Sequence, residues 1–199
     1  MDSIHISHLS KAFGEKAVLS DFSATLKAGG AYALMGASGV GKTTLLRILL
    51  SLESKDSGEI TGLPSRIAAV FQEERLIPTL SAVDNLRFAL KDVALEKIEA
   101  TLSSLGLADS LNAPVSTLSG GMSRRVSLAR ALLFDAPFLL FDEPFKGLDE
   151  ETRLVAIEAV KAERRGRTLL FVTHDKEEAA LLDAEILYME KAVPDAQCP

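Results

Sequence analysis

The chain has very little cysteine: among 199 residues the only one is Cys198, next to the C-terminus. An intrachain disulfide is therefore excluded, and the usage is compatible with a reducing compartment. Positive charge is short too. With 22 Lys and Arg against 28 Asp and Glu, the net charge is −6. That lacks the basic footprint of a nucleic-acid binder, so no nucleic-acid partner is expected. Long apolar runs are missing as well. Stretches such as Phe138 to Phe141 and Thr168 to Val172 fall far short of the ~20 residues a membrane span needs. Any work at a membrane then requires a partner that crosses it. Met1-Asp2-Ser3 opens straight into alternating sequence, so no signal peptide is expected. There is no internal repeat, low-complexity tract or long linker. What remains is ordinary for one sizeable globular domain, with 47% hydrophobic and 25% charged residues.

The most informative stretch is Gly36-Ala37-Ser38-Gly39-Val40-Gly41-Lys42-Thr43-Thr44, which matches G-x-x-x-x-G-K-[ST]. Before it, Ala31 to Met35 reads as a buried strand; after it, Leu45 to Leu52 reads as a helix. Strand, glycine loop and helix form the context in which such a loop binds phosphate. Glycines let the backbone approach the phosphates, and successive N–H groups at a helix N-terminus cradle the anion. Lys42 is placed to reach β- and γ-phosphates, and the Thr43 hydroxyl to ligate Mg²⁺.

Along the chain, Ile4, Ile6 and His8 and then Val18 to Leu26 alternate, predicting a small antiparallel sheet. Ile67 to Phe71 reads as a buried strand ending at Gln72. From Glu73 to about Phe134 the pattern is helical, broken by Pro78 and Pro114, with Ser81 as an N-cap and Gly106 as a stop. Further strands are predicted at Phe138–Phe141, Thr168–Val172 and Ala184–Met189, separated by helices near Glu150–Arg165 and Lys176–Leu182. This alternation predicts a mainly parallel sheet. The residues from Ala192 to Pro199 are expected to fray.

Two more stations carry chemistry. Four apolar residues, Phe138 to Phe141, are followed by Asp142 and Glu143. A strand ending in Asp places a carboxylate at the edge of the sheet where ligands bind. Asp142 suits Mg²⁺, through water, and Glu143 suits an attacking water; taken alone, the pair is equally an acidic turn. Ser119-Gly120-Gly121 precedes a helix running to about Phe134. It reads either as a plain N-cap or as a second anion site.

In this order the stations resemble an ATP-binding cassette (ABC) ATPase, the nucleotide-binding subunit of an ABC transporter, over nearly the whole chain. Gly36 to Thr44 is similar to Walker A, Gln72 to the Q-loop, Leu118 to Met122 to the signature, and Phe138 to Glu143 to Walker B with its glutamate. Gly147-Leu148-Asp149 resembles the D-loop, His174 falls where the switch histidine belongs, and Phe13 fits the aromatic that stacks on adenine. The resemblance implies a P-loop NTPase core with a mainly parallel sheet, an antiparallel β subdomain and a helical subdomain at about 73–134, in one domain spanning 1–199. It implies Mg²⁺-dependent ATP hydrolysis, with Lys42, Gln72, Glu143 and His174 as catalytic residues and Thr43, Gln72 and Asp142 around the metal. It also implies partners: a second ABC ATPase subunit in a head-to-tail dimer, whose P-loop faces Ser119, Gly120, Gly121 and Asp149; a membrane-spanning permease; and, indirectly, a solute-binding protein. The location implied is the cytoplasmic face of the cell membrane.

Met122 replaces the signature's more frequent glutamine, and Lys146 stands where serine or threonine is common. The first departure, with Phe71 to Pro78, is similar to the branch of nitrate, sulfonate and taurine importers. The other readings kept open are a soluble ABC ATPase working mechanically on DNA or ribosomes, and an exporter or envelope ATPase. A permease-docking groove is expected after Gln72, lined by Leu76, Ile77 and Leu80. His5 and His8 are expected to be structural or exposed, Arg124, Arg125 and Arg130 solvated or near phosphate, and Glu150–Arg165 a charged helix without chemistry.

Overall fold

The computed structural model describes residues 2–191; Cys198 and the tail expected from Ala192 lie outside the described residues. Five strands form a parallel sheet in the order β5 (Ile67–Val70), β6 (Phe138–Asp142), β7 (Thr168–Val172), β3 (Ala31–Met35), β8 (Glu185–Tyr188). Alternate residues of these strands serve opposite faces. Leu139, Phe141, Leu169, Phe171 and Ala33 join one core cluster, while Phe138, Leu140, Leu170, Val172 and Leu34 join the other. Both faces are covered, which is why the central strands read as continuous apolar runs.

One cover consists of helix α1 (Lys42–Leu49) and an antiparallel sheet of β2 (Lys16–Leu26), β1 (Ile4–Phe13) and β4 (Ser57–Thr61). Ile4, Ile6, Leu9, Leu19 and Leu26 pack there with Leu45 and Leu49. The other cover comprises α2 (Ala82–Ala89), α3 (Leu95–Ser104), α4 (Gly120–Leu133), α5 (Glu150–Arg164) and α6 (Lys176–Leu181), the first three lying between β5 and β6 in the chain.

The bounds of the first helix are corrected, and one strand was not foreseen. Helix α1 begins at Lys42 and ends at Leu49, rather than spanning Leu45 to Leu52. Strand β4 has no sequence signal, because Ile60 is its only apolar residue beyond Gly58. Its existence depends on β1, where His8 adopts a φ of 51° and interrupts the ladder to β4 between Ser7 and Ser10. A Cβ on Gly58 would sit 2.5 Å from the His8 carbonyl oxygen, so only glycine fits. His5 and His8 are both exposed. In α5, Arg153 pairs outward with Asp175 and Glu177 at the start of α6.

Candidate nucleotide site

Four strands of the parallel sheet end at one edge, and each delivers a site residue: β3 the glycine loop, β5 Gln72, β6 Asp142 and Glu143, β7 His174. That edge is where open α/β sheets bind ligands. A cavity of about 430 Å³ is lined there by Phe13, Ser38, Gly39, Gly41, Lys42, Thr43, Thr44, Gln72, Asp142, Glu143, Lys146 and His174, with Lys16, Val18 and Val172. Gly41 has a φ of 107° and a Cβ on it would lie 2.4 Å from the Val18 carbonyl oxygen, so the loop requires glycine. Gly41 caps α1 without a side-chain hydrogen bond, leaving helix N–H groups to an anion. Gly36, Ala37 and Val40 do not line the cavity: Ala37 is exposed beside it, Val40 is buried in the core, and a Cβ on Gly36 would come within 3.2 Å of the Val40 side chain.

Lys42 is buried, and its Nζ donates to the carbonyls of Gly36 and Ala37, both at 2.9 Å. Burial lowers its pKa, against the pull of Glu143 and Asp142. The Thr43 hydroxyl donates to Asp142 Oδ2 at 3.1 Å. Burial raises the Asp142 pKa, opposed by that hydrogen bond. Among the described residues no group of three or more His, Cys, Asp or Glu is arranged to hold a metal. One hydroxyl and one carboxylate form a donor-poor corner, which suits Mg²⁺ because Mg²⁺ keeps waters and takes phosphate oxygens. Glu143 has a left-handed backbone, φ 49°. Its Oε2 meets Lys146 Nζ at 2.5 Å and its Oε1 lies 3.5 Å from His174 Nε2. At the far side Phe13 is 49% exposed, with Lys11 Nζ 5.2 Å from the ring centroid.

The sequence and the fold are matched by known proteins. The ABC transporter family model matches residues 19–146. The chain belongs to the ABC transporter family. It is 40% identical over 196 residues to "Aliphatic sulfonates import ATP-binding protein SsuB 1" of Paracoccus denitrificans, covering 96% of this chain and 81% of that protein. It is 43% identical over 192 residues to the SsuB protein of Corynebacterium glutamicum, covering 92% and 78%. Its fold matches "Dimeric Structure of MJ0796, a Bacterial ABC Transporter Cassette" with a TM-score of 0.82 at 28% identity, covering 94% of each chain. The post-hydrolysis MJ0796 cassette bound to ADP and Pi matches with a TM-score of 0.80 at 28% identity, covering 94% of this chain and 96% of that one. As a member of this family the chain is an ATP-hydrolysing transporter subunit. The resemblance to the importer branch stands, and a soluble mechanical role on DNA or ribosomes is not favoured.

The remaining ABC stations lie outside this cavity. Ser119 Oγ accepts from the Met122 N–H at 3.2 Å, an N-cap for α4. Asp149 caps α5, accepting from the Thr152 N–H at 2.9 Å and its hydroxyl at 2.8 Å, which lowers the Asp149 pKa. A Cβ on Gly120 would meet nothing within 4 Å. Nothing within this chain demands glycine there, although the signature has one.

The signature helix also corrects an expectation. Arg124 is buried rather than solvated; it donates to the carbonyls of Phe71 and Gln72 at 2.6 and 2.7 Å. Ser127 and Arg130 donate to Glu74 O, and Arg130 also to Arg75 O. Arg125 donates to Leu105 O and Gly106 O, closing the end of α3. Sequence reasoning missed this clamp because its acceptors are backbone carbonyls, which carry no residue-type signal.

A second cavity, of about 490 Å³, is lined mainly by apolar residues, among them Leu50, Leu52, Phe71, Leu90 and Phe134, with Arg75 and Arg130. Leu76, Ile77 and Leu80, where a groove was expected, do not line it. Leu76 packs toward the helical core, and Asn85 closes the turn by bonding Ile77 O, Leu80 O and Ser81 O. A smaller cavity of about 230 Å³ joins the two regions, touching Thr43, Gln72 and Asp142 at one end and Leu50, Phe71 and Arg75 at the other.

Proposed function

We propose that the chain is the energy-coupling ATPase of an importer, working with Mg²⁺ at the sheet edge described. The observation that carries the reading is the convergence of Lys42, Thr43, Asp142, Glu143, Gln72 and His174 on one cavity. ATP lies along the glycine loop, with its phosphates on the N-terminus of α1. Lys42 leaves its loop carbonyls for the β- and γ-phosphate oxygens, offsetting the cost of its burial. Thr43 and Asp142, with Gln72, would hold Mg²⁺, and the ion would supply positive charge against the transferring phosphoryl group. Glu143 orients and deprotonates the attacking water, and His174 holds the far side of the γ-phosphate. Phe13 stacks on adenine.

Ser119 and Gly120 serve the site of a second subunit. Gly120 supports this, since a bare, exposed backbone suits an incoming phosphate chain better than any need of its own chain. Residues 73–134 act as one helical subdomain, tied to Gln72 by Arg124. The apolar cavity around Phe71, Leu90 and Phe134 receives a helix of a membrane-spanning permease, and a solute-binding protein acts indirectly through it. No helix among the described residues is long and apolar enough to cross a membrane; the permease holds the chain peripherally on the cytoplasmic face. Sulfonates, named for the relatives, are the solute class to try first.

A complementation assay tests the shared site. Mixing Lys42→Ala with Ser119→Arg chains gives heterodimers with one intact site, and ATPase activity partly recovers. Proven heterodimers without recovery would overturn the trans arrangement.

A further inference from the structure

Lys146 is the cation beside Glu143, and this reading leaves it without a task. It follows Glu143 by three positions, where the left-handed Glu143 starts a turn closed by the Lys146 N–H donating to Glu143 O at 3.3 Å. The turn folds the lysine back over the carboxylate. Nζ lies 2.5 Å from Oε2, while His174 Nε2 stands 3.5 Å from Oε1. One carboxylate oxygen needed for water, Oε2, is thereby engaged, and the other faces His174.

The contact is suited to exchange. The Lys146 side chain is 59% exposed and Glu143 19%. An ion pair so open to water is weak, and a compact ammonium on a four-carbon stem moves freely. Lys146 also lines the same cavity as Lys42, Ser38 and Thr43. Lys42 is buried and anchored on loop carbonyls; Lys146 has no such anchor in the bonds it makes. A γ-phosphate offers more negative charge and more acceptor oxygens than one carboxylate.

We propose that Lys146 is a second phosphate-binding cation, shared between Glu143 and the γ-phosphate of ATP. When it takes the phosphate, the Glu143 carboxylate is released to the attacking water. This rests on the ATP reading of the site given above.

The test uses the full chain, with ADP and the β,γ-imido analogue of ATP competing against a fluorescent nucleotide. Lys146→Met lowers affinity for the imido analogue about fivefold, and affinity for ADP by less than about twofold, as expected for one lost charged hydrogen bond. Lys146→Arg restores most of the affinity. In a Glu143→Gln background the cost of Lys146→Met grows, because the neutral amide no longer competes for the ammonium. Equal losses for both nucleotides, or a cost unchanged by Glu143→Gln, overturns the shared-cation role alone. A wild-type chain that binds neither nucleotide overturns the ATP reading, and this role with it.

Discussion

Arg124 Nη2 donates to the carbonyl of Gln72 at 2.7 Å, so the helix that begins at the signature serine holds the backbone of the Q-loop. The two residues are 52 positions apart in the chain. On the proposed reading, a shift of Gln72 toward a γ-phosphate would pass through this bond to α4, and with it to Ser119. Arg124→Leu removes the donor from two part-buried carbonyls and costs about 2–4 kcal/mol, about 1–2 for each lost charged hydrogen bond. The melting temperature should fall by about 5–12 °C. ATP affinity should fall less than turnover, since the glycine loop is untouched. Differential scanning calorimetry and phosphate release measure the two effects, and a normal melting temperature would discount the clamp.

Glu143→Gln should bind ATP yet lose turnover by ~10²-fold or more, the range for removing a general base. Size-exclusion chromatography with ATP should show a trapped dimer. Chelating Mg²⁺ with EDTA should stop hydrolysis in the wild type. Turnover of the variant at the wild-type rate would remove Glu143 from the mechanism.

Phe13→Ala should weaken ATP binding by about fivefold, near 1 kcal/mol of lost ring contact. Affinity for inorganic triphosphate should not change. Equal weakening of both would mean that the ring supports the loop instead of the base.

Glu178 provides a pH test. It is buried, and burial raises its pKa, opposed by the Thr173 hydroxyl at 2.5 Å, with Asp175 pushing the same way as burial and Arg153 against it. A raised native pKa means that the folded state holds the proton more tightly. Its contribution is fully favourable below the ordinary glutamate pKa of about 4.3, and is lost as pH rises through the raised value. Glu178→Gln, which still accepts from Thr173, should therefore raise the melting temperature at neutral pH. The gain should shrink as pH falls toward 4 (about the ordinary value). A gain that stayed constant with pH would mean that packing, not ionisation, sets it.

Phe134→Asp places a charge in the apolar cavity beside Gln72, at a side chain 37% exposed. Co-purification with the membrane subunit should be lost while ATP binding persists. Retention of the complex would put the permease elsewhere.

The glycine loop, the strand ending in Asp142-Glu143 and the caps at Ser81 and Ser119 were legible in sequence because local chemistry determines them. The φ of 107° at Gly41 calls for glycine, the starts of α2 and α4 take a serine hydroxyl, and a strand covered on both faces needs an unbroken apolar run. Strand β4 was not legible, since one isoleucine in five residues says nothing until β1 lies beside it. The clamp of Arg124 and Arg130 on residues 71–75 was not legible either, because carbonyl acceptors look the same in every residue. Nor was the contact between Lys146 and Glu143, which depends on a left-handed turn that no glycine announces. Sequence by itself determined which groups are candidates to handle phosphate and the order in which they come. Only the tertiary structure decided which of them touch, because the parallel sheet brings four distant strand ends to one edge and sets their side chains within hydrogen-bond reach.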